Sequence, residues 1–399
     1  MPSSAPSELA GRRAVVVNWR DLEHSRAGGA ERYAWEVARA LVGAGAQVEF
    51  RTARDRGQAR RELRDGIRII RAGGPITFLP RALLGLARAR GRLDLVVDAD
   101  CGLPAFSPLV LSRRRTAVLL VVHHVHQQQF GAMRQPFAGL ARLLERRVMP
   151  WVYRRATAVA VSESTRSEMA AQLGWSGPVI VIPNGTDSPP ELSIRPVGER
   201  VVILGRLSHH KRVDLALRAV VALRASRPGL EVDVVGDGPE RARLEALLDT
   251  LGAASGVSLH GRVSETDKHR LLANARVHLC ASDAEGWGQV VLEAASHGVP
   301  TVARAVPGLR DSVRPGSTGW LVADGRDDEA TVAALTEALG NALDQLGRVS
   351  RRIEIAGACR SWAARFSWAE THRAVIATAS ESLQRTAARR SRGSTGRCR

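Results

Sequence analysis

The feature that most constrains this chain is an alternation of short apolar runs and helix-period segments, played through twice. Ala14–Val17 is an apolar strand followed by a loop and the helical pattern Ala30–Val42, and Val48–Arg51 resumes as a strand after the stop Gly43-Ala44-Gly45. Further strands are expected at Leu93–Val97, Val118–Val122, Ala158–Val161 and Val179–Ile182. Ser188–Glu199, with three prolines and no periodicity, reads as a linker. The pattern then restarts: strand Val201–Leu204, helix Val213–Ala225, strand Glu231–Val235, helix Glu240–Leu251, strand Val257–His260, helix Glu265–Ala273, strand Val277–Cys280 and helix Val290–His297. Strands that alternate with helices demand parallel sheets covered by helices on both faces, an α/β architecture. Two such units imply a cleft, the usual place for a ligand. At about 150 residues per domain, 399 residues suit two or three domains. The expected division is 12–187, 199–358, C-terminal helices at 359–383 that pack back on the first domain, and a disordered basic tail at 384–399 rich in Arg, Ser and Gly.

Several classes are set aside at once. Hydrophobic residues at 44% and charged residues at 25% are enough to bury a real core. No apolar run approaches the ~18–20 residues of a spanning helix, and MPSSAPSELAGRR lacks a signal peptide's apolar centre, so a cytoplasmic protein is expected. Cys101, Cys280, Cys359 and Cys398 never form a CxxC and read as reduced thiols. The net charge of +18 suggests either an anionic partner or a solvated background in an arginine-rich composition. A nucleic-acid-binding protein driven by charge is the non-enzymatic alternative, but no nucleic-acid module is recognisable and aromatic residues total 4%. Of 58 basic residues only Lys211 and Lys268 are lysine. Where arginine is the default cation, a lysine inside a motif is there for a reason, and Lys211 is such a lysine.

Most of the chemistry lies in Asp283-Ala-Glu-Gly-Trp-Gly-Gln-Val-Val-Leu-Glu293. An apolar strand runs into a glycine-rich loop and then a helix, so backbone N–H groups near Gly288–Val290 point at a ligand, an arrangement suited to an anion. Glu285 in the loop and Glu293 on the helix can face one cavity and accept hydrogen bonds from hydroxyls, as sugars and riboses supply. Taken singly, each has a plain structural alternative, a turn residue and a helix-surface carboxylate. In Gly205-Arg206-Leu-Ser-His-His-Lys211, Arg206 and Lys211 stand at a strand's C-terminal end, where they can neutralise a diphosphate and assist its departure. Gly236-Asp-Gly238-Pro239-Glu240 occupies an equivalent strand end and by itself is a tight turn.

The order GGAER (28–32), IPNG (182–185), GRLSHHK (205–211), VGDGPE (235–240), HGR (260–262) and EGWGQVVLE (285–293) resembles the family 4 glycosyltransferases, of group 1 type and GT-B fold. The resemblance spans about residue 13 to residue 370, and the glutamate pair with seven residues between is the family's signature. It implies two Rossmann-like doubly wound domains facing each other across a deep cleft, a nucleotide-diphosphate sugar held mainly by the second, and transfer with retention at the anomeric carbon. It further implies that Glu293 holds the ribose hydroxyls, Glu285 the donor sugar, and Arg206 with Lys211 the diphosphate, with Gly236, Gly286, Gly288, Gln289 and Val290 around the donor. No metal or other cofactor is expected, in keeping with the absence of an acidic cation motif in the cleft loops. The acceptor is left open among a glycan, a lipid-linked molecule and a small natural product. A sugar-nucleotide epimerase of the same fold is the enzymatic alternative.

In the first half, Gly28 and Gly29 open a helix whose amides could touch a phosphate or the acceptor, or simply form a flexible loop. His123 matches the histidine that the family places over the donor sugar and is the catalytic candidate there, beside Glu285, Arg206 and Lys211. His124 and His126 would share a face opposite His123 if the strand continued, but a metal site from HHxH lacks an identifiable third ligand. Asp98–Pro108 resembles an acceptor-side loop. Met133–Arg155 is amphipathic, with Arg142, Arg146, Arg147, Arg154 and Arg155 beside Leu, Val, Trp151 and Tyr153. It reads either as a peripheral contact with the inner face of a membrane or as an interdomain helix with a solvated arginine face.

Overall fold

The computed structural model describes residues 8–75, 77–112, 114–127, 130, 137–190, 198–252 and 256–395. It divides into two compact units, Met1–Gly185 with Trp368–Arg399, and Thr186–Ser367.

The first unit carries β1 (Arg13–Val17), α1 (Gly29–Gly43), β2 (Gln47–Thr52), β3 (Arg61–Arg64), β4 (Ile67–Arg71), α2 (Phe78–Arg88), β5 (Leu95–Asp100), β6 (Ala117–Val122), α3 (Phe137–Leu143), α4 (Met149–Tyr153), β7 (Thr157–Ala160), α5 (Glu163–Leu173) and β8 (Val179–Val181). A π-helical turn, Leu144–Val148, joins α3 to α4. The sheet order is β3-β4-β2-β1-β5-β6-β7-β8, parallel except for β3 against β4. The central strands are buried on both faces, which is why they read as mainly apolar runs rather than as an alternation of apolar and polar residues. The β3–β4 hairpin gives no such run: β3 is a half-exposed edge strand of alternating charge, Arg-Glu-Leu-Arg.

The interior end of β5 carries two fully buried carboxylates, Asp98 and Asp100. Asp98 accepts hydrogen bonds from the amides of Ala105 (2.8 Å) and Ser107 (3.1 Å) and from the Tyr153 hydroxyl. It is therefore the staple that fixes the following loop, whatever else that loop does.

The second unit repeats the plan with β9 (Arg200–Leu204), α6 (Val213–Arg224), β10 (Glu231–Val235), α7 (Arg241–Thr250), β11 (Val257–Gly261), α8 (Glu265–Asn274), β12 (Val277–Cys280), α9 (Gln289–Ser296), β13 (Thr301–Arg304), α10 (Leu309–Ser312), β14 (Gly319–Val322), α11 (Asp328–Gly347) and α12 (Val349–Ala363). Its six strands are all parallel, in the order β11-β10-β9-β12-β13-β14. Leu217 and Val220 of α6 and Leu339 and Leu343 of α11 share one core cluster with Val201 and Val277 of the sheet. Each such side chain contributes about 1.5–3 kcal/mol by burial. The Asp327 carboxylate caps α11, accepting from the Ala330 amide at 2.8 Å.

α13 (Trp368–Thr395) returns to the first unit and packs on α1 and β6. Two expectations are corrected here. Residues 359–367 belong with the second unit, not with a returning helix. Residues 384–395 are helical where a disordered tail was expected. Ala379, Ser382 and Thr386 are buried, and the Ser382 hydroxyl lies 3.4 Å from that of Thr157. Tertiary burial and the helix propensity of Ala, Arg and Gln extend the helix through the basic composition. Cys398 lies outside the described residues.

Candidate functional site

In the second unit β9 leads to β10 on one side, whereas β12 returns on the other, so the loops after β9 and β12 flank a topological switch point at the carboxyl ends of the strands. The loop after β9 closes with a single 3₁₀ turn, His209–Lys211. There the Lys211 ammonium pairs with Oε1 of Glu285 from the loop after β12, and the Ser282 hydroxyl donates to the same oxygen at 2.8 Å. The Asp283 amide ties the loops together by donating to the His210 carbonyl at 2.8 Å. Burial pushes the Glu285 carboxyl up, but the Lys211 charge and the hydrogen bonds from Lys211 and Ser282 prevail and hold it below its ordinary value. Arg212, in the left-handed region at φ 45°, pairs with Asp214, Asp283 and Asp328, so it brackets the loop. Arg206 stands in the same loop, partly exposed.

α9 starts at Gln289 behind Gly288, whose φ is 84° and whose added Cβ would lie 2.7 Å from the Ser312 hydroxyl. Gly286, Gln289 and Val290 thus surround a helix N-terminus, and Glu293 follows one turn later on a half-exposed face. Lys268 of α8 stands beside it: its Nζ is 3.7 Å from Glu293 Oε1 and 2.7 Å from Glu265 Oε2. Burial alone would lower this lysine's pKa, but Glu293 and Glu265 raise it. Gly236 does more than turn the chain. At φ 134° a Cβ there would sit 1.9 Å from the Gly205 carbonyl oxygen, so only glycine lets the loops after β9 and β10 pass. The Leu207 amide donates to Asp237 O and the Glu240 amide to Leu207 O, each at 3.0 Å. Arg206, Lys211, Gly236, Glu285, Gly286, Gly288, Gln289, Val290 and Glu293 are therefore all carried by adjacent loops at one end of one sheet.

The first unit carries the rest. Gly28 and Gly29 stand at the start of α1, where the Gly28 amide donates to Glu31 Oε2 at 2.7 Å while Glu31 Oε1 accepts from Arg20 Nε at 2.7 Å. This amide has an internal acceptor, which the glycine pattern alone does not reveal. His123 follows directly on β6, 5% exposed and edge-on to Tyr33 at 5.4 Å. Its Nε2 has no hydrogen-bond partner among the described residues, and burial pushes its pKa down to about 3, so the ring is a neutral imidazole. β6 stops at Val122, so the strand alternation expected for His124 and His126 does not apply; their rings pack at 3.9 Å.

Lys268 and Glu145 were not singled out by sequence. The scarcity of lysine is the signal that finds Lys268, whereas Glu145 lay unremarked in the arginine-rich amphipathic segment. Of that segment, Met133–Pro136 lies outside the described residues. Phe137, Leu140, Leu143 and Trp151 project into solvent near exposed Arg146, Arg147, Arg154 and Arg155. Among the described residues, no helix is long and apolar enough to cross a membrane.

Residues 186–353 match the family described as Glycosyl transferases group 1, and residues 27–188 match Glycosyltransferase Family 4. The chain is 31% identical over 326 residues to a GDP-mannose-dependent alpha-(1-6)-phosphatidylinositol monomannoside mannosyltransferase of Mycolicibacterium smegmatis, covering 75% of this chain and 80% of that protein. It is 34% identical over 193 residues to a D-inositol 3-phosphate glycosyltransferase of Mycobacterium marinum, covering 47% of this chain and 39% of that one. Among solved structures, sucrose-phosphate synthase from Thermosynechococcus elongatus superposes with a TM-score of 0.73 at 21% identity, covering 91% of this chain and 97% of that one. Anabaena HepE in complex with UDP and glucose gives 0.69 at 17%, covering 93% and 100%. The chain belongs to the family 4, group 1 glycosyltransferases, enzymes of GT-B fold that transfer a sugar from a nucleotide sugar.

Proposed function

We propose that this chain is a retaining hexosyltransferase that holds a nucleoside-diphosphate sugar on its second unit without a metal ion and delivers the sugar to a hydroxyl of a lipid-linked glycoside. The observation that carries this reading is the Lys211–Glu285 pair at the switch point, with Glu293 and its partner Lys268 on the neighbouring helices. Lys211 has three N–H donors and spends one on Glu285, which leaves two for a diphosphate. Arg206 and the N-terminus of α9 supply the remaining positive potential. Glu293 takes the ribose hydroxyls, and Glu285 takes a hydroxyl of the donor sugar.

Departure of the diphosphate places negative charge beside fixed cations and helix amides, which need no reorganisation as the charge develops. The acceptor hydroxyl attacks from the face the diphosphate leaves, its oxygen bonding to the anomeric carbon while its proton passes to the departing phosphate oxygen, and the configuration is retained. On the first unit, His123 is a neutral imidazole with an unpartnered Nε2, suited to a hydrogen bond with a hydroxyl that reaches the end of β6. A lipid-linked acceptor is supported by the mycolicibacterial relative, whose name specifies a phosphatidylinositol monomannoside, by the exposed apolar residues of α3 and α4, and by the exposed arginines of the π-helical turn (Arg146, Arg147) and of the segment after α4 (Arg154, Arg155).

Thermal-shift titration of GDP, UDP, ADP and dTDP identifies the base, since a ligand at 100 times its Kd adds about 2.7 kcal/mol. Transfer from the matching sugar nucleotide to a glycolipid in vesicles, with the product's anomeric configuration read by NMR, tests the remainder. Retention is expected, and magnesium should leave the nucleotide's Kd unchanged. An inverted product, magnesium-dependent binding, or turnover of the donor without an acceptor, as in an epimerase, would overturn the corresponding part.

A further inference from the structure

We infer that the first unit contains a buried divalent-cation site formed by Asp100, His126 and Glu145, separate from the donor residues. One ligand atom from each lies within 4.8 Å of the others, and all three side chains are buried. Asp100 closes β5 opposite Val122 at the end of β6, His126 lies in the loop that follows β6, and Glu145 sits on the π-helical turn between α3 and α4. π-Turns occur where a helix re-aims a side chain and are frequent at functional sites.

The independent evidence is Asp100 itself. It is fully buried, and neither of its carboxylate oxygens has a hydrogen-bond partner of ordinary geometry among the described residues; only the Gly102 amide leans toward it. Asp98, two residues earlier on the same strand, shows how this fold satisfies a buried carboxylate: two amides and a hydroxyl converge on it. Asp100 receives nothing comparable. The charged groups that bear on it are Glu145 and Asp98, both carboxylates, and among the described residues no arginine or lysine pairs with it in a chain that has 58 basic residues. A buried charge without a partner is strongly disfavoured, and two facing carboxylates more so, unless a cation lies between them.

The remaining ligands are already oriented. Glu145 Oε1 lies 3.2 Å from His126 Nδ1 and accepts from the His126 amide at 2.6 Å, while Oε2 accepts from Gln127 Nε2 at 2.6 Å. Such outer hydrogen bonds are what fix metal ligands. Ligand atoms about 2.0–2.2 Å from a metal lie some 3–3.5 Å apart, so only a small contraction is needed. One imidazole and two carboxylates in a buried site favour a first-row ion such as Zn²⁺ or Mn²⁺ over Mg²⁺ or Ca²⁺. The bound ion would tie the loop that begins at His123 to the α3–α4 helix. Of the HHxH stretch only His126 takes part, and the set is not visible in sequence because its two carboxylates come from distant elements.

The test uses the full chain, stripped with a chelator and dialysed against Zn²⁺ or Mn²⁺. Bound metal is measured by mass spectrometry and thermal unfolding is followed with and without metal. Wild type should hold about one equivalent and gain thermal stability with it. Asp100→Asn should lose affinity by roughly tenfold to a hundredfold or more. Its metal-free midpoint should match or exceed that of metal-free wild type, because the amide removes a buried charge. Cobalt substitution of wild type, read by visible absorption, gives a result that does not depend on a variant folding. Absence of bound metal with no cobalt spectrum would overturn the site in favour of a proton shared by the carboxylates, as would wild-type affinity in both Asp100→Asn and Glu145→Gln.

Discussion

Lys211 and Lys268, the two lysines of the chain, each stand against one of the two glutamates of the signature. A lysine is a compact point charge on a flexible stem, able to share its donors between a fixed carboxylate and an arriving phosphate; a planar guanidinium commits to a fork. Lys211→Ala should therefore fail in two ways. It removes the contact with the departing diphosphate, worth about 1.5–3 kcal/mol, and it strands Glu285, whose side chain is only 12% exposed. The double variant Lys211→Ala, Glu285→Gln should recover thermal midpoint but not turnover; recovered turnover would remove Lys211 from the site. The glutamates themselves should separate. Glu293→Gln replaces two acceptor oxygens with one and should weaken binding of the cognate nucleoside diphosphate by about 1–3 kcal/mol in calorimetric titration. Glu285→Gln should leave that affinity nearly intact and lower turnover, and equal loss in both variants would show the pair acting as a unit. Lys211 and both glutamates were legible in sequence because motif, spacing and residue scarcity coincide on them. Glu145 was not, because an isolated glutamate among arginines looks like a surface residue until the π-turn aims it inward.

At the scale of elements, legibility followed burial. β10 and β12 are found at their expected bounds because buried parallel strands are dominated by apolar residues even where a Glu231, Asp233 or His278 interrupts them, while the edge strand β3 and the basic end of α13 are defined by pairing and packing that composition does not display. β12 also carries a chemical liability. His278 is fully buried, its Nδ1 lies 3.1 Å from the Thr301 hydroxyl of β13, and burial lowers its pKa to about 4. Its folded pKa is thus below the unfolded value of 6.5, so the unfolded chain takes up the proton first. The stability it contributes is fully present above about pH 6.5 and falls as pH drops toward 4, by about 2 kcal/mol at pH 5. His278→Asn keeps a partner for Thr301 and cannot titrate. Its thermal midpoint should be lower than wild type at pH 7.5 because of lost packing, but should fall less between pH 7.5 and pH 5. Parallel pH profiles would place the acid sensitivity elsewhere.

For the whole molecule, charge and apolar exposure make separable demands. A net charge of +18 attracts any anionic surface, and this attraction is screened as the Debye length shrinks from about 10 Å at 0.1 M salt to about 3 Å at 1 M. Composition made the charge legible, but it could not show that Phe137, Leu140, Leu143 and Trp151 stand 54–64% exposed on the first unit, since a helical stripe of apolar residues is ordinarily core. An arginine-flanked apolar face of this kind suits insertion at the headgroup boundary, where each buried side chain contributes about 1.5–3 kcal/mol that salt does not screen. Wild type should co-sediment with phosphatidylglycerol vesicles in low salt, bind phosphatidylcholine vesicles weakly, and retain a measurable fraction on the anionic vesicles at 0.5 M salt. Replacing Phe137, Leu140 and Trp151 with serine should abolish that salt-resistant fraction while leaving low-salt binding partly intact and nucleoside-diphosphate affinity unchanged. If the triple variant and wild type instead come off the vesicles together as salt rises, the apolar face does not enter the bilayer and the basic surface acts only as a diffuse charge.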